Sequence, residues 1–262
     1  MRSRRRRNIQ NLFPGIDAVR LRDLERRHLE YHSMLQVHIA KAQHYTTEEL
    51  RRLIVWEGDE LLTEYLAEGR GIIVVGGHNG TWWCCPGAMA VRGHKVSVVV
   101  NRDLFPPMRE YLDEIVRGSG IRIIHTGKGA LTEIREVLGR GEILYLNVDV
   151  SVRHERSTLI PFLGAGLPMD AAPALLALRQ KSLLLWSSCW HDSDGRPKVR
   201  LKKDPPCGRD TELGNRSAIL NHWARRLEDD VREFPHQWWP LSFVALEAGQ
   251  ERSLITTLPE GS

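Results

Sequence analysis

The sequence lacks the features that would place it across a membrane or in an oxidising compartment. No apolar run reaches the roughly 18 residues that a transmembrane helix needs, and no signal-peptide core follows the arginine-rich start. The four cysteines, Cys84, Cys85, Cys189 and Cys207, have neither metal-ligand nor C-x-x-C redox spacing. We therefore expect reduced thiols, no metal or redox cofactor, and only peripheral contact with a membrane.

Motifs of nucleotide-binding and serine-dependent enzymes are missing as well. The chain has no P-loop, no G-x-G-x-x-G fingerprint and no G-x-S-x-G elbow. Apart from a run of arginines, it contains no internal repeat and no low-complexity segment. These absences remove the usual sequence support for a nucleotide-binding protein and for a serine hydrolase.

Positive charge is concentrated at the start of the chain. Five arginines stand within residues 1–7, and the formal net charge of the whole chain is +4, so the remainder is close to neutral. Such a segment can bind anionic lipid headgroups, at about 1 kcal/mol per basic residue, or nucleic acid. Alternatively, it is a solvated, disordered tail. Because aromatic residues do not interleave with the basic ones, no nucleic-acid partner is expected.

Hydrophobic periodicity predicts helices first and alternating strands and helices afterwards. Apolar residues recur at helical spacing over about 8–45, and Thr46-Thr47-Glu48-Glu49 is typical of a capping box. From residue 71, short apolar runs alternate with segments that are long enough for crossover helices. The runs are 72–75, 96–100, 121–124, 143–146 and 183–186, and the segments between them are 81–92, 106–118, 128–139 and 170–181.

The pattern predicts an α/β protein with a largely parallel central sheet flanked by helices, and with N-terminal helices packed on it. A further strand is expected near 199–201 and a long helix over 211–233. We predict one domain over residues 1–262. Within it, 1–7 form the basic tail, 8–52 the N-terminal helices and 53–240 the α/β core.

Two polar segments follow predicted strands, and each carries a residue suited to acid–base chemistry. His78 comes soon after the run 72–75, and Asp149 comes soon after the run 143–146. Ligands of open α/β sheets bind at the carboxyl ends of strands, where neighbouring strands would bring the two side chains together. A histidine held by a carboxylate is the arrangement of a general base. The residues alone also allow a purely structural histidine.

The same region offers hydrogen-bond donors beside His78. Backbone N–H groups around 79–81, expected at a helix start, could face an anion or a developing oxyanion.

Five groups of motifs occur in a fixed order along residues 53–240. They are 55–62, Gly76-Gly77-His78-Asn79-Gly80-Thr81-Trp82 after a strand, Asn101-Arg102 with 117–120, Asn147-Val148-Asp149 with Pro161-Phe162-Leu163-Gly164, and Phe234-Pro235-His236-Gln237-Trp238-Trp239. Together they resemble the lysophospholipid acyltransferase superfamily. The most similar branches are the bacterial lipid A biosynthesis lauroyl/myristoyl acyltransferases and the related phosphatidylinositol mannoside acyltransferases.

The resemblance implies an acyltransferase with His78 as its catalytic base. A fatty acyl chain would move from the thioester of acyl-CoA or acyl carrier protein to a hydroxyl of a lipid or glycolipid acceptor. The family usually places Asp or Glu five positions after the histidine, where this chain has Trp83. The phosphatidylinositol mannoside branch pairs its histidine with a later acidic residue, whose place Asp149 matches. The alternative is a catalytically inactive lipid- or acyl-binding protein of the same fold.

Further residues are candidates for substrate binding. They are Asn79, Gly80, Trp82, Arg102, Arg117 and Arg153. The arginines could hold a phosphate or carboxylate through the guanidinium fork, or could form ordinary surface ion pairs. Trp238 and Trp239 are predicted to pack in the core or at an interface. The N-terminal helices are expected to act as a lid or to face the membrane, with the protein cytoplasmic and peripheral on the inner face of the cell membrane.

Overall fold

The computed structural model describes residues 2–42, 44–102, 110, 113, 120–150, 157–208, 210–244 and 246–248. Its α-helices are α1 (Arg2–Leu12), α2 (Ala18–Ala42), α3 (Thr47–Leu53), α4 (Asp59–Ala67), α5 (Cys84–Ala90), α6 (Ala130–Gly139), α7 (Ala172–Gln180) and α8 (Arg216–Glu233). Its strands are β1 (Val55–Glu57), β2 (Ile72–Gly76), β3 (Val96–Val100), β4 (Arg122–His125), β5 (Ile143–Asn147), β6 (Ser157–Phe162), β7 (Ala165–Asp170), β8 (Leu183–His191), β9 (Pro197–Lys203) and β10 (Glu247–Ala248). Two 3-10 helices span Pro235–Gln237 and Trp239–Ser242.

The central sheet has seven strands in the order β1-β9-β8-β2-β5-β3-β4. Strands β8, β2, β5, β3 and β4 run parallel to one another, so the prediction of a largely parallel sheet is confirmed. All five apolar runs that the sequence predicts as strands lie in this parallel group. The capping box at Thr46 is also present, and it opens α3.

Strand β2 lies at the centre of the molecule, with both of its faces buried. Ile73 and Val75 belong to a large apolar cluster that includes residues of α6, α7 and α8. Ile72 and Val74 point the other way, into a smaller cluster with residues of α4 and α5. Because successive side chains of a strand alternate between faces, a strand that is covered on both sides has to be continuously apolar.

Two parts of the sheet structure differ from the prediction. Strand β9 pairs antiparallel with β8, because a tight turn in which Asp192 N–H donates to Arg196 O (3.1 Å) reverses the chain. Strands β6, β7 and β10 form a separate antiparallel sheet that the sequence does not predict. Pro161 and Pro168 interrupt the sequence pattern of β6 and β7, since proline removes a donor from the strand ladder. The predicted helix 106–118 lies, apart from residues 110 and 113, outside the described residues.

The arginine-rich start belongs to helix α1, which begins at Arg2 rather than at residue 8. Arg5 is only 5% exposed, and the buried Asn8 amide donates to the backbone oxygens of Leu241 and Val244 (2.9 Å each). Residues 2–7 are therefore part of a helix that is docked on the C-terminal segment. No helix of the described residues has the length and apolar character needed to cross a membrane.

Helix α2 docks on the segment around Pro235–Gln237 through buried histidines. His28 donates from Nδ1 to the carbonyl oxygen of His236 (3.0 Å), and its Nε2 lies 2.8 Å from Ser242 Oγ. Nearby, the two ring nitrogens of His191 lie 3.0 Å from the Tyr31 hydroxyl and 3.1 Å from His38 Nδ1. Burial lowers the pKa of His28 and of His191 to about 4 from the ordinary 6.5.

These lowered pKa values predict acid-sensitive docking of α2. Between pH 6.5 and about 4 the unfolded chain binds protons that the folded chain refuses, so stability is full above pH 6.5 and falls as the pH falls. At about 1.4 kcal/mol per pKa unit, each of His28 and His191 lowers the free energy of unfolding by on the order of 3 kcal/mol as the pH falls from 6.5 to about 4. Urea unfolding across this pH range measures the slope. His28→Asn keeps an N–H donor but does not titrate, so it is expected to flatten the slope; an unchanged slope would contradict the assignment.

Candidate active site

His78 and Asp149 lie at the carboxyl edge of the sheet, just beyond two adjacent strands. Strands β2 and β5 pair in register up to Gly76 and Asn147. The pairing continues one residue further, because Val148 N–H donates to Gly76 O (3.1 Å). The structure thus brings together two side chains that are far apart in the sequence.

Three hydrogen bonds hold the Asp149 carboxylate. His78 Nδ1 lies 2.6 Å from Asp149 Oδ1, and because a carboxylate oxygen accepts, Nδ1 is the protonated nitrogen. Oδ2 accepts from His78 N–H and from Trp238 Nε1–H, at 2.8 Å each. Asp149 is fully buried, whereas the His78 side chain is 15% exposed. The imidazole Nε2 makes no hydrogen bond within the described residues and remains able to accept a proton.

Trp238 is a site residue that the sequence did not identify as one. Sequence analysis predicted it to pack in the core, and it is fully buried, but its indole also donates to Asp149. Its position follows from pairing between the 3-10 segment and the turn after β2. Gly80 N–H donates to Gln237 O, and Trp239 N–H donates to His78 O, at 3.0 Å each. The signal that could have found it is its place in the last motif, directly beside Trp239.

Gly80 has a structural role that accounts for its identity. Its φ is +50°, and a Cβ there would lie 2.3 Å from Trp190 Cα on β8. A side chain at this position would therefore clash with backbone. Its N–H is taken by Gln237 O. Helix α5 begins only at Cys84, so residues 79–81 lie in a turn before the helix and not at the predicted helix start.

Aromatic rings surround the exposed side of the His78 imidazole. The centre of the Trp82 ring lies 4.7 Å from that of the imidazole, and the centre of the Trp239 ring lies 5.4 Å from it. The two indoles also approach each other, with ring centres 6.3 Å apart. The side-chain amide of Asn79 is buried beside them, and neither of its polar atoms is hydrogen-bonded within the described residues.

The remaining candidates lie farther away or outside the described residues. Arg102 follows β3 at the same edge of the sheet, two strands from β2, with its guanidinium beside Gly127 and its N–H donating to Thr126 Oγ1 (3.0 Å). Arg117 and Arg153 lie outside the described residues. Trp83, which takes the place of the usual acidic residue, packs against the smaller apolar cluster. Among the residues that the structure describes, no group of His, Cys, Asp and Glu has the arrangement of a metal site.

A second histidine–aspartate pair lies at the opposite edge of the sheet. His222 Nε2 lies 2.8 Å from Oδ1 of the fully buried Asp204. Asp204 also accepts from Trp223 Nε1 (3.2 Å) and from Arg226 Nε (3.1 Å). Arg226 connects α8 to the end of β9, so we interpret this pair as structural. It supplies a matched control for the first pair.

An α/β sheet that presents a partly exposed imidazole on a buried carboxylate has the architecture of an enzyme site at the carboxyl edge. Over residues 1–242 the chain matches the family model for the bacterial lipid A biosynthesis acyltransferases, and it belongs to that family. It is therefore an acyltransferase of lipid biosynthesis, with an acyl donor and a lipid acceptor as its substrates. A search of curated proteins finds no match to the chain.

Proposed function

We propose that the protein transfers a fatty acyl chain from an acyl-CoA or acyl carrier protein thioester to a hydroxyl of a lipid or glycolipid acceptor. His78 acts as general base, and Asp149 orients it. The observation that carries the proposal is the 2.6 Å contact between His78 Nδ1 and Asp149 Oδ1. It fixes the proton on Nδ1 and leaves Nε2, on the exposed side of the ring, to take a proton.

The reaction uses the imidazole twice. Nε2 removes the proton of the acceptor hydroxyl while the oxygen attacks the carbonyl carbon of the thioester. The tetrahedral intermediate then expels the thiolate, which takes the proton back from the imidazolium. Asp149 stabilises the imidazolium between these steps, because its fully buried carboxylate lies beside Nδ1.

The second candidate function is an inactive lipid- or acyl-binding protein of the same fold. Trp83 favours it, because the acidic residue that family members carry at this position is missing. Against it stands Asp149, which reaches the imidazole from just beyond the neighbouring strand. The arrangement therefore supports an enzyme whose carboxylate comes from a different part of the chain.

Release of free thiol distinguishes the two candidates. The purified chain is incubated with lauroyl-CoA or lauroyl carrier protein, with and without a total lipid extract in vesicles. We expect thiol release that depends on the added lipid, together with a lipid product heavier by one acyl chain in mass spectrometry. Binding of thioester without release of thiol from either donor would instead support the inactive protein.

We also propose that the protein works as a peripheral protein on the inner, cytoplasmic face of the cell membrane. Arg4, Arg6 and Arg7 of α1 are exposed, and α2 exposes Val19 and Val37 on its surface. Basic and apolar side chains on neighbouring helices suit an anionic lipid surface.

Trp238 is expected to act on the reaction through Asp149. Trp238→Phe removes one of the three donors to the carboxylate. Hydrogen bonds to charged groups contribute about 1.5–3 kcal/mol, so kcat should fall by roughly 10- to 100-fold at most. The low-field NMR resonance of the His78 Nδ1 proton should shift at the same time. Trp223→Phe is the matched control, because the Trp223 indole is fully buried and donates to Asp204. Both variants should lose comparable stability; equal kcat in both would contradict the role of Trp238.

A further inference from the structure

We propose that the indole N–H groups of Trp82 and Trp239 form the site for the carbonyl oxygen of the thioester donor. The inference rests on the proposed function, because this oxygen gains negative charge only when a hydroxyl attacks the thioester. Groups that donate hydrogen bonds to the developing oxyanion stabilise the transition state more than the bound substrate. Such donors must lie close to the base that activates the hydroxyl.

The first support is the position of the two rings. Trp82 packs edge-on against the imidazole of His78, and Trp239 packs against the same imidazole at an interplanar angle of 40°. The ring centres of the two indoles lie 6.3 Å apart, so the three rings form one cluster. Trp82 follows β2 in the turn, and Trp239 is held there by its N–H bond to His78 O (3.0 Å).

The second support is the state of the donors. Nε1 of Trp82 and Nε1 of Trp239 are both buried, and neither donates to an acceptor in the part of the chain that the structure describes. Buried indole N–H groups normally have a partner, since leaving a buried donor unpaired is unfavourable. An acceptor atom of a substrate bound beside the three rings would give both N–H groups a partner.

Several backbone donors of the turn around the imidazole are already used. His78 N–H donates to Asp149 Oδ2, and Gly80 N–H donates to Gln237 O. Trp82 N–H donates to Asn79 O. A donor pair made from these amides would require the turn to open. The indoles need no such change.

In the reaction, the acceptor oxygen forms a bond to the carbonyl carbon as its proton moves to His78 Nε2. The electron pair of the C=O π bond moves to the carbonyl oxygen, which accepts hydrogen bonds from both indoles. When the C=O bond re-forms, the C–S bond breaks, and the thiolate leaves with the proton of the imidazolium. The charge on the oxygen thus rises and falls within reach of two neutral donors, which supply no proton themselves.

Trp83 is the control that distinguishes hydrogen-bond donation by an indole N–H from burial of the indole ring. Its Nε1 is also buried and also without an acceptor among the described residues, but its ring packs into the smaller apolar cluster and forms none of the ring contacts of His78. It therefore has the same chemistry in the same turn, without the position beside the base.

The test replaces each tryptophan in the full chain with phenylalanine and, separately, with 3-benzothienylalanine, which keeps the shape of indole but has sulfur in place of N–H. At positions 82 and 239 we expect kcat with lauroyl thioester to fall roughly 10²-fold for either replacement, while KM changes by no more than a few-fold. Trp83→Phe and the benzothienyl replacement at 83 should keep the wild-type kcat. Thermal unfolding verifies that every variant is folded.

The proposal would be overturned if the benzothienyl variants at 82 and 239 kept the full kcat, even if the phenylalanine variants lost it. The rings would then act by packing alone. A loss of the same size at position 83 would also overturn it. A wild-type chain that releases no thiol would remove the proposed function together with this inference. An active wild type with unaffected variants would remove only the inference.

Discussion

Replacement of His78 by alanine is expected to reduce acyl transfer by about 10²–10⁴-fold, the usual contribution of a positioned general base. The substitution removes the Nδ1 donor to Asp149 Oδ1 but keeps the backbone N–H of residue 78 and the Trp238 indole on Oδ2. Two of the three donors to the buried carboxylate therefore remain, and the chain should still fold. Transfer of radiolabelled lauroyl from the thioester to lipid, together with a thermal unfolding curve, measures both effects.

His222→Ala is the matched control for this variant. It removes an imidazole from a fully buried aspartate that, like Asp149, also bonds an indole, but it does so at the opposite edge of the sheet. We expect His222→Ala to lower stability and to leave kcat of the folded protein at the wild-type level. Unchanged transfer in His78→Ala, or equal losses in the two variants, would exclude His78 as the base.

Asp149→Asn is expected to lower kcat by about 10⁴-fold, because it places the imidazole in the wrong tautomer. Oδ2 accepts from two N–H donors, His78 N and Trp238 Nε1, so the amide oxygen of asparagine takes this position. The amide NH₂ then faces His78 Nδ1, which has to accept instead of donate. The proton moves to Nε2, which can no longer receive the proton of the acceptor hydroxyl.

Two measurements make this result specific to the tautomer. The imidazole ¹⁵N shifts of His78 should report a proton on Nε2 in Asp149→Asn and on Nδ1 in the wild type. Asp204→Asn provides the control, because Asp204 is equally buried and bonds His222, Trp223 and Arg226 without lying near the site. Full activity in a folded Asp149→Asn chain would show that His78 works without Asp149, and the pair would then be structural.

The family's usual acidic residue stands five positions after its histidine in the sequence, whereas Asp149 follows the neighbouring strand β5. The Trp83 side chain packs in the core instead, against a cluster that includes Cys84, Cys85 and Met89. Asp149 reaches His78 because β2 and β5 pair in register, which brings the segments after the two strands together. The Trp238 indole donates to the second oxygen of the Asp149 carboxylate.

The fold was predicted well where local pattern is sufficient. Continuous apolar runs such as 72–75 and 143–146 mark strands that are buried on both faces, and both became central strands of the sheet. The hairpin of β6 and β7 was missed because Pro161 and Pro168 break that pattern, and its pairing depends on packing against α8. The strand expected near 199–201 is present as β9, but its antiparallel direction was not predicted, since a turn rather than an apolar pattern decides it.

The sequence alone determined the strands of the parallel group, the motif order and the two candidate residues for a base and its orienter. Their meeting could be anticipated only because neighbouring parallel strands end at one edge. The tertiary structure alone decided which donors complete the site. Trp238 reaches Asp149 and Trp239 reaches His78 because Gln237 and Trp239 pair with the turn after β2 through backbone hydrogen bonds. These contacts depend on how the C-terminal segment crosses the sheet. Such long-range pairing leaves no local periodicity, so an indole that holds a carboxylate and an indole that merely packs look alike in the sequence.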